Sequence, residues 1–179
     1  MRVLLLSDTH GALDERVAAR ARESDLVVHA GDVGSAEVLE ILRALCPRVI
    51  AVRGNNDVAS KWVPAARVAV AELAEQAQID LPGGCLVAVH GDRFPAAQRH
   101  LRLRQAFPSA RAIVYGHSHR LCIDDDHYPW ILNPGAAGRA RTFGGPSCLQ
   151  LVATLRRWRV EPLRFPPSPV SAAVQPLSG

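Results

Sequence analysis

Seven residues of this chain carry side chains that hold metal ions, and all stand in loops that follow short apolar runs: Asp8, His10, Asp32, Asn55, His90, His117 and His119. Carboxylate, imidazole and amide oxygen are ligands for Mn, Fe, Zn or Mg, and no thiolate is among them. A hard to borderline divalent ion is implied. One small ion that keeps a position open for water or substrate takes about three protein ligands. Two ions sharing a bridging Asp would use all seven residues. Taken singly, Asp-x-His is a weak signal, and Gly-Asp after a strand can be no more than a turn with a cap. His100 and His127 stand alone and are assigned no function. Four such motifs in one order, each after a predicted strand, make a metal centre the better account.

The elements that must position these residues follow from hydrophobic patterning. Residues 3–6 form a continuous apolar run that stops at Ser7-Asp8-Thr9-His10-Gly11, which predicts a buried strand ending in a polar loop. A helix over residues 13–22 follows. The cycle repeats with a strand over 26–30, the loop Gly31-Asp32-Val33-Gly34, and a helix over 35–45 with Ser35 as N-cap. A third strand over 49–53 leads into Gly54-Asn55-Asn56-Asp57. Three such alternations predict an α/β core with parallel strands. The second half changes character, with short strands expected over 68–73, 78–81 and 85–89 and a turn at Pro82-Gly83-Gly84. That region is expected to be antiparallel. A helix over 95–107 precedes a strand over 112–115 and the loop Gly116-His117-Ser118-His119. Further strands are expected over 121–123, 130–132, 148–154 and 158–163. In α/β sheets the loops at the carboxyl ends of strands gather at one edge, so the seven candidate ligands would meet there.

With 179 residues, the chain is long enough for one domain with an apolar core and too short to expect two. Hydrophobic residues make up 48% and charged residues 21%, the balance of a globular protein rather than a disordered or membrane-embedded one. No segment reaches the roughly 18 to 20 apolar residues of a bilayer span, and the run over 3–6 is too short for a signal peptide. A cytoplasmic location without membrane contact is the expectation. Cys46, Cys85, Cys122 and Cys148 form no Cys-x-x-Cys pair and are expected to be reduced, mostly buried thiols. Of the net charge of +4, only Arg99, His100, Arg102 and Arg104 cluster. Without interleaved aromatic residues, nucleic-acid binding ranks below a plain exposed helix face. The domain is expected over residues 1–164, with a mobile Pro-rich tail over 165–179.

Asp8-Thr9-His10, Gly31-Asp32, Gly54-Asn55-Asn56-Asp57, His90 and Gly116-His117-Ser118-His119 together resemble the calcineurin-like metallophosphoesterases. His29-Ala30-Gly31-Asp32, Arg53-Gly54-Asn55 and Asn133-Pro134-Gly135-Ala136 are similar to the small bacterial and archaeal phosphodiesterase branch. The resemblance implies a four-layer α-β-β-α sandwich, two sheets face to face with helices outside. It implies that Asp8, His10 and His119 bind one ion, that Asn55, His90 and His117 bind the other, and that Asp32 bridges them. Manganese is the expected metal, with Ni, Fe, Zn or Mg as alternatives. Asp57 falls at a family position behind the ligands. Arg141 matches an Arg that follows the Asn-Pro-Gly loop, although Ala140 stands where the family often has Pro. Asn56 occupies the position where many phosphoesterases of the superfamily carry a His that protonates the leaving oxygen. Asp92 departs from the His-Gly-His run common in relatives.

The expected activity is hydrolysis of a small phosphate ester, in particular a phosphodiester. Two divalent ions bring four positive charges, of which Asp8 and Asp32 cancel two if the imidazoles are neutral, so an anionic phosphate is attracted. A water between ions roughly 3.5 to 4 Å apart is deprotonated near neutral pH and attacks phosphorus in line. Two other readings stay open. The fold also serves as an interaction scaffold in the retromer coat of eukaryotes, and a metal-dependent nuclease would require the Arg99 to Arg104 helix to lie beside the metals. Self-association into a homo-oligomer is left open by the sequence.

Overall fold

A computed structural model describes residues 1–139 and 141–167. Its first sheet is built from β1 (Arg2–Leu6), β2 (Leu26–His29), β3 (Val49–Ala51), β9 (Ser147–Ala153) and β10 (Trp158–Arg164), in the order β10-β9-β1-β2-β3. The second holds β4 (Gln76–Leu81), β5 (Gly84–Val89), β6 (Ala112–Val114), β7 (Cys122–Asp124) and β8 (Trp130–Asn133), in the order β4-β5-β6-β8-β7. Helices α1 (Glu15–Ala21), α2 (Ala36–Leu45) and α3 (Arg67–Ala71) supply apolar residues to the outer core of the first sheet, and α4 (Arg99–Ala106) to that of the second.

The uninterrupted apolar run of β1 has a simple cause. Val3 and Leu5 face the core between the two sheets, with Leu86, Val114, Leu132 and Leu149. Leu4 and Leu6 face the helices, with Val17, Val38 and Leu42. Side chains alternate with period two, so a strand covered on both faces must be apolar at every position. The result is the four-layer α-β-β-α sandwich.

The hairpin expected around Pro82-Gly83-Gly84 is antiparallel, while the second sheet as a whole is mixed. β4 with β5 and β7 with β8 are antiparallel, but β5 with β6 and β6 with β8 are parallel. This matters for the site, because parallel strands send their carboxyl ends to the same edge. The strand expected over 68–73 is also corrected: residues 64–66 form a 3-10 turn, followed by α3. Val68 is 69% exposed while Ala66, Val70 and Leu73 are buried, a helical spacing. Ser35 precedes α2 as expected but makes no side-chain cap bond. Asp14 caps α1 instead, accepting from the Arg16 backbone N–H at 2.9 Å.

Cys46 and Cys148 are buried, Cys85 and Cys122 half-buried, and all four are free thiols. No described helix is long and apolar enough to cross a membrane. Phe165, placed in the tail by the sequence, packs against the core beneath α1 and α2, and its N–H donates to the Pro146 carbonyl at 2.8 Å. Residues 168–179 and Ala140 lie outside the described residues.

Candidate metal centre

β1, β2 and β3 run parallel, as do β5, β6 and β8. Their carboxyl-terminal loops meet because the backbone continues to pair past the strand ends. The Asp8 N–H donates to the Gly31 carbonyl and the His10 N–H to the Asp32 carbonyl, each at 3.0 Å, and the Gly116 N–H donates to the His90 carbonyl at 3.1 Å. All seven candidate ligands are brought together.

They form two adjoining groups. In one, His119 Nε2 lies 3.2 Å from Asp8 Oδ1 and 3.2 Å from His10 Nε2. In the other, His90 Nε2 lies 3.1 Å from Asn55 Oδ1 and 3.4 Å from Asp32 Oδ2, while His117 Nδ1 stands 3.0 Å from the same Asn55 oxygen. Asp8 is within 4.8 Å of both His10 and His119, and of Asp32 and His90. Asp32 likewise has imidazoles of both groups near it, His90 Nε2 at 3.4 Å and His10 Nε2 at 3.9 Å from its Oδ2.

The orientation of two imidazoles shows that the donors fit a cation. His90 Nδ1 contacts the Ala30 carbonyl at 2.9 Å and His119 Nδ1 contacts the Arg141 carbonyl at 3.1 Å. A carbonyl only accepts, so each Nδ1 carries a proton and each ring aims its Nε2 at carboxylate and amide oxygens. In both groups ring nitrogens and oxygens converge where positive charge is favoured, carried by a proton on Nε2 or by a cation between them. The acid constants agree in sense. Burial lowers the His90 pKa, but the Asp32 carboxylate outweighs it and raises the balance. The hydrogen bond to Asp8 raises His119. For Asp32, burial pushes the carboxyl up, yet His90 and the Asn56 amide groups hold it well below the usual carboxylate range. Burial lowers His10 and His117.

Backbone strain is concentrated in the same place. Among the described residues, the non-glycine positions with positive φ are Asp8, His10, Asp32, His117, His119 and Arg141. The left-handed region costs an L-residue roughly 1–2 kcal/mol, and such outliers cluster where side chains must be aimed.

The remaining expected site residues sort by contact. The Arg141 guanidinium lies 2.9 Å from His10 Nε2, at the exposed rim. Asn56 leans on the bridging candidate, its backbone N–H donating to Asp32 Oδ1 at 2.8 Å and its Nδ2 to Oδ2 at 2.7 Å. Asp57 is buried and accepts from the backbone N–H groups of Val33, Gly34 and Gly54, so it ties the second and third loops together from behind. Asp92 lines a cleft beside His90. On α4, Arg104 is held by Asp124 at 2.7 Å, and His100 bridges Asp124 and the Tyr115 hydroxyl. Those two residues of the basic cluster are thus paired within the fold.

Two contacts had no signal in residue type: Lys61 Nζ donates to Asn56 Oδ1 at 2.6 Å, and the Ser7 hydroxyl donates to Asp8 Oδ2 at 2.7 Å. His29 was visible only as part of a motif. It is fully buried, with Nε2 2.9 Å from the Thr9 hydroxyl and Nδ1 accepting the Gly31 N–H at 3.2 Å. Thr9 passes its own proton to the Val33 carbonyl at 2.9 Å, so the ring must be the neutral Nε2–H tautomer. Burial depresses its pKa to about 4. A depressed folded-state pKa makes protonation favour unfolding. The contribution is therefore complete above the unfolded value near 6.5 and is lost as pH falls toward 4, by roughly 3 kcal/mol in all. Urea melts of the metal-free protein between pH 7 and 4.5 should show this loss, and His29→Gln should flatten it. Equal pH slopes for the two proteins would remove His29 from the account.

Both the sequence and the fold have known relatives. The sequence is 31% identical over 141 residues to a probable metallophosphoesterase of Methanocaldococcus jannaschii, covering 76% of this chain and 68% of that one. The fold is similar to Vps29 of Entamoeba histolytica complexed with zinc, at TM-score 0.71 and 20% identity, covering 94% of this chain and 100% of that one. It is also similar to an archaeal phosphodiesterase, at TM-score 0.66 and 22% identity, covering 91% and 100% of the two chains. Residues 1–154 match the calcineurin-like phosphoesterase superfamily domain, and the chain belongs to that superfamily.

Proposed function

We propose that this protein is a phosphodiesterase that uses two divalent ions. The observation that carries the reading is the pair of adjoining groups whose imidazole nitrogens and carboxylate and amide oxygens converge beside Asp32. In this reading Asp8, His10 and His119 hold one ion, and Asn55, His90 and His117 the other, with Asp32 between them. Ions bound there supply Lewis acidity toward phosphoryl oxygens and lower the pKa of water, by the two-metal logic of phosphatases and nucleases. The protein's own part is positioning and charge. Carbonyls of Ala30 and Arg141 fix the two imidazoles, and Asn56 fixes both oxygens of Asp32. The Arg141 guanidinium at the rim supplies a charged donor for a phosphate oxygen.

The scaffold reading draws support from the likeness to Vps29, which is one of fold. The complete, strained donor set favours catalysis, since a surface that works by shape has no use for six left-handed residues. A panel of phosphomonoesters, aryl diesters and cyclic nucleotides, assayed with Mn, Ni, Mg and Zn, tests the proposal. Turnover of aryl diesters above monoesters is expected with Mn. Failure to hydrolyse any ester with any of the metals would favour the scaffold.

Asn56 sharpens the diesterase reading. Its amide cannot give up a proton to a leaving oxygen, and general acid help is worth about 10² to 10⁴ in rate. Substrates with acidic leaving groups should therefore suffer least, aryl diesters among them. Asn56→His should raise activity on poor leaving groups relative to p-nitrophenyl esters. A flat dependence of the wild-type chemical step on leaving-group pKa would show that another residue acts as the acid.

A further inference from the structure

The donor groups open on two clefts rather than one. The larger, of about 840 Å³, begins at Asn55 and His90. The smaller, of about 520 Å³, begins at His117 and His119 and continues past Arg141 to Phe143. The two meet where His117 Nδ1 stands 3.0 Å from Asn55 Oδ1. A phosphate held by these donors therefore has open space on two sides. A phosphomonoester has one organic arm to place, and a diester has two.

The walls differ in chemistry. Val70, Val89, Phe94 and Phe107 line the larger cleft, whose polar flank is Arg53 and Arg93. Glu75 joins those two cations, with Arg53 Nη2 at 2.9 Å and the Arg93 guanidinium bidentate at 2.7 and 2.6 Å. Glu75 and Asp92, which lines the same cleft, balance the two guanidiniums, and Arg53 spends a single N–H on Glu75. Such a cleft takes a flat apolar body and offers N–H groups to acceptors at its edge. In the smaller cleft Phe143 is 54% exposed, with the Arg120 guanidinium 4.4 Å from its ring centroid. Arg120 covers one face of that ring, and the ring adds an exposed surface for stacking.

We propose that the substrate is a phosphodiester with two unequal arms, the larger carrying a planar aromatic ring into the cleft of Phe94 and Phe107, the smaller lying against Phe143. This rests on the phosphodiesterase reading and adds which arm goes where. A simple aryl group and a nucleoside share the required ring.

The test is calorimetric affinity of the Mn-loaded protein for monoanionic diesters, so that charge stays constant while the arms change: dimethyl, methyl phenyl and diphenyl phosphate, and the methyl ester of thymidine 5′-phosphate. The first ring should tighten binding by about 10-fold and the second by about 3-fold, from apolar burial and stacking. Ala106 is exposed and lines the larger cleft, so Ala106→Trp fills it without touching the core. That variant should remove the first increment. Phe143→Ala should remove the second, with melting temperatures close to the wild type in both cases. A thymidyl ester tighter than the methyl phenyl ester supports the proposal with a nucleoside as the arm, and one weaker than it but tighter than dimethyl phosphate supports it with a simple aryl arm. Flat affinities across the series in a protein that turns over bis(p-nitrophenyl) phosphate would overturn this proposal alone, as would one variant erasing both increments. If no diester is turned over with any metal, the underlying reading and this proposal fall together.

Discussion

Asp32→Ala should lower turnover of an aryl phosphodiester by about 10³-fold or more and reduce the bound metal at both positions. The expectation follows from where the carboxylate sits. Asp32 is buried, accepts two hydrogen bonds from Asn56, and has imidazoles of both donor groups within 3.4 and 3.9 Å. Its ionised form persists despite burial because His90 and Asn56 stabilise it. Asp8, the other carboxylate near both groups, is held by the Ser7 hydroxyl and the His117 N–H, so it does not simply move over to replace the lost charge. Asp32→Asn keeps the shape and removes the charge, so it should lose metal as well, which separates electrostatics from packing. His119→Ala and His117→Ala should each lose mainly one ion, since His119 stands beside Asp8 and His10 while His117 stands beside Asn55. Metal analysis of Asp32→Ala with both ions at full occupancy would contradict the bridging assignment.

Gly54→Ala should cost about 10²-fold in turnover although residue 54 contributes no ligand. A Cβ at this position would collide with the Asp32 carboxylate and backbone, with Asp32 Cα only 2.9 Å away. The Gly54 N–H is also tied to Asp57 Oδ2 at 2.9 Å, so the glycine cannot simply move outward. The added methyl must displace Asp32, and a misplacement near 1 Å can cost about 10²-fold. Overpacking of this kind typically lowers stability by about 1–3 kcal/mol. Kinetics and thermal melts of the folded variant are the check. Wild-type turnover in Gly54→Ala would mean that the position of Asp32 is not critical.

The candidate ligands were legible in the sequence because each stands where a buried strand ends, and strand burial leaves a strong trace. The run of β1 is apolar throughout only because sheet and helix cover opposite faces. What the sequence hid lies in longer-range contacts. Residues 68–73 read as a strand from their valines, but Pro64 and the surrounding alanines form a short helical segment that buries Val70 and leaves Val68 outside. The helix between β5 and β6 and the antiparallel hairpin before it were legible, but the strand order of the second sheet, set by contacts between distant strands, leaves no local trace. Asp57 could not be recognised as a loop tie, because its three backbone partners leave no pattern in residue type. The cleft is hidden for the same reason: Arg53, Glu75 and Arg93 are far apart in the chain and meet only across two sheets.

Turnover of bis(p-nitrophenyl) phosphate, measured against equivalents of manganese bound to the metal-stripped protein, tests whether two ions act together. Two ions sharing Asp32 predict negligible activity without metal, little after the first equivalent, and a rise that completes as the second site fills. Full activity in the stripped protein, or saturation at a single equivalent, would contradict the two-ion account.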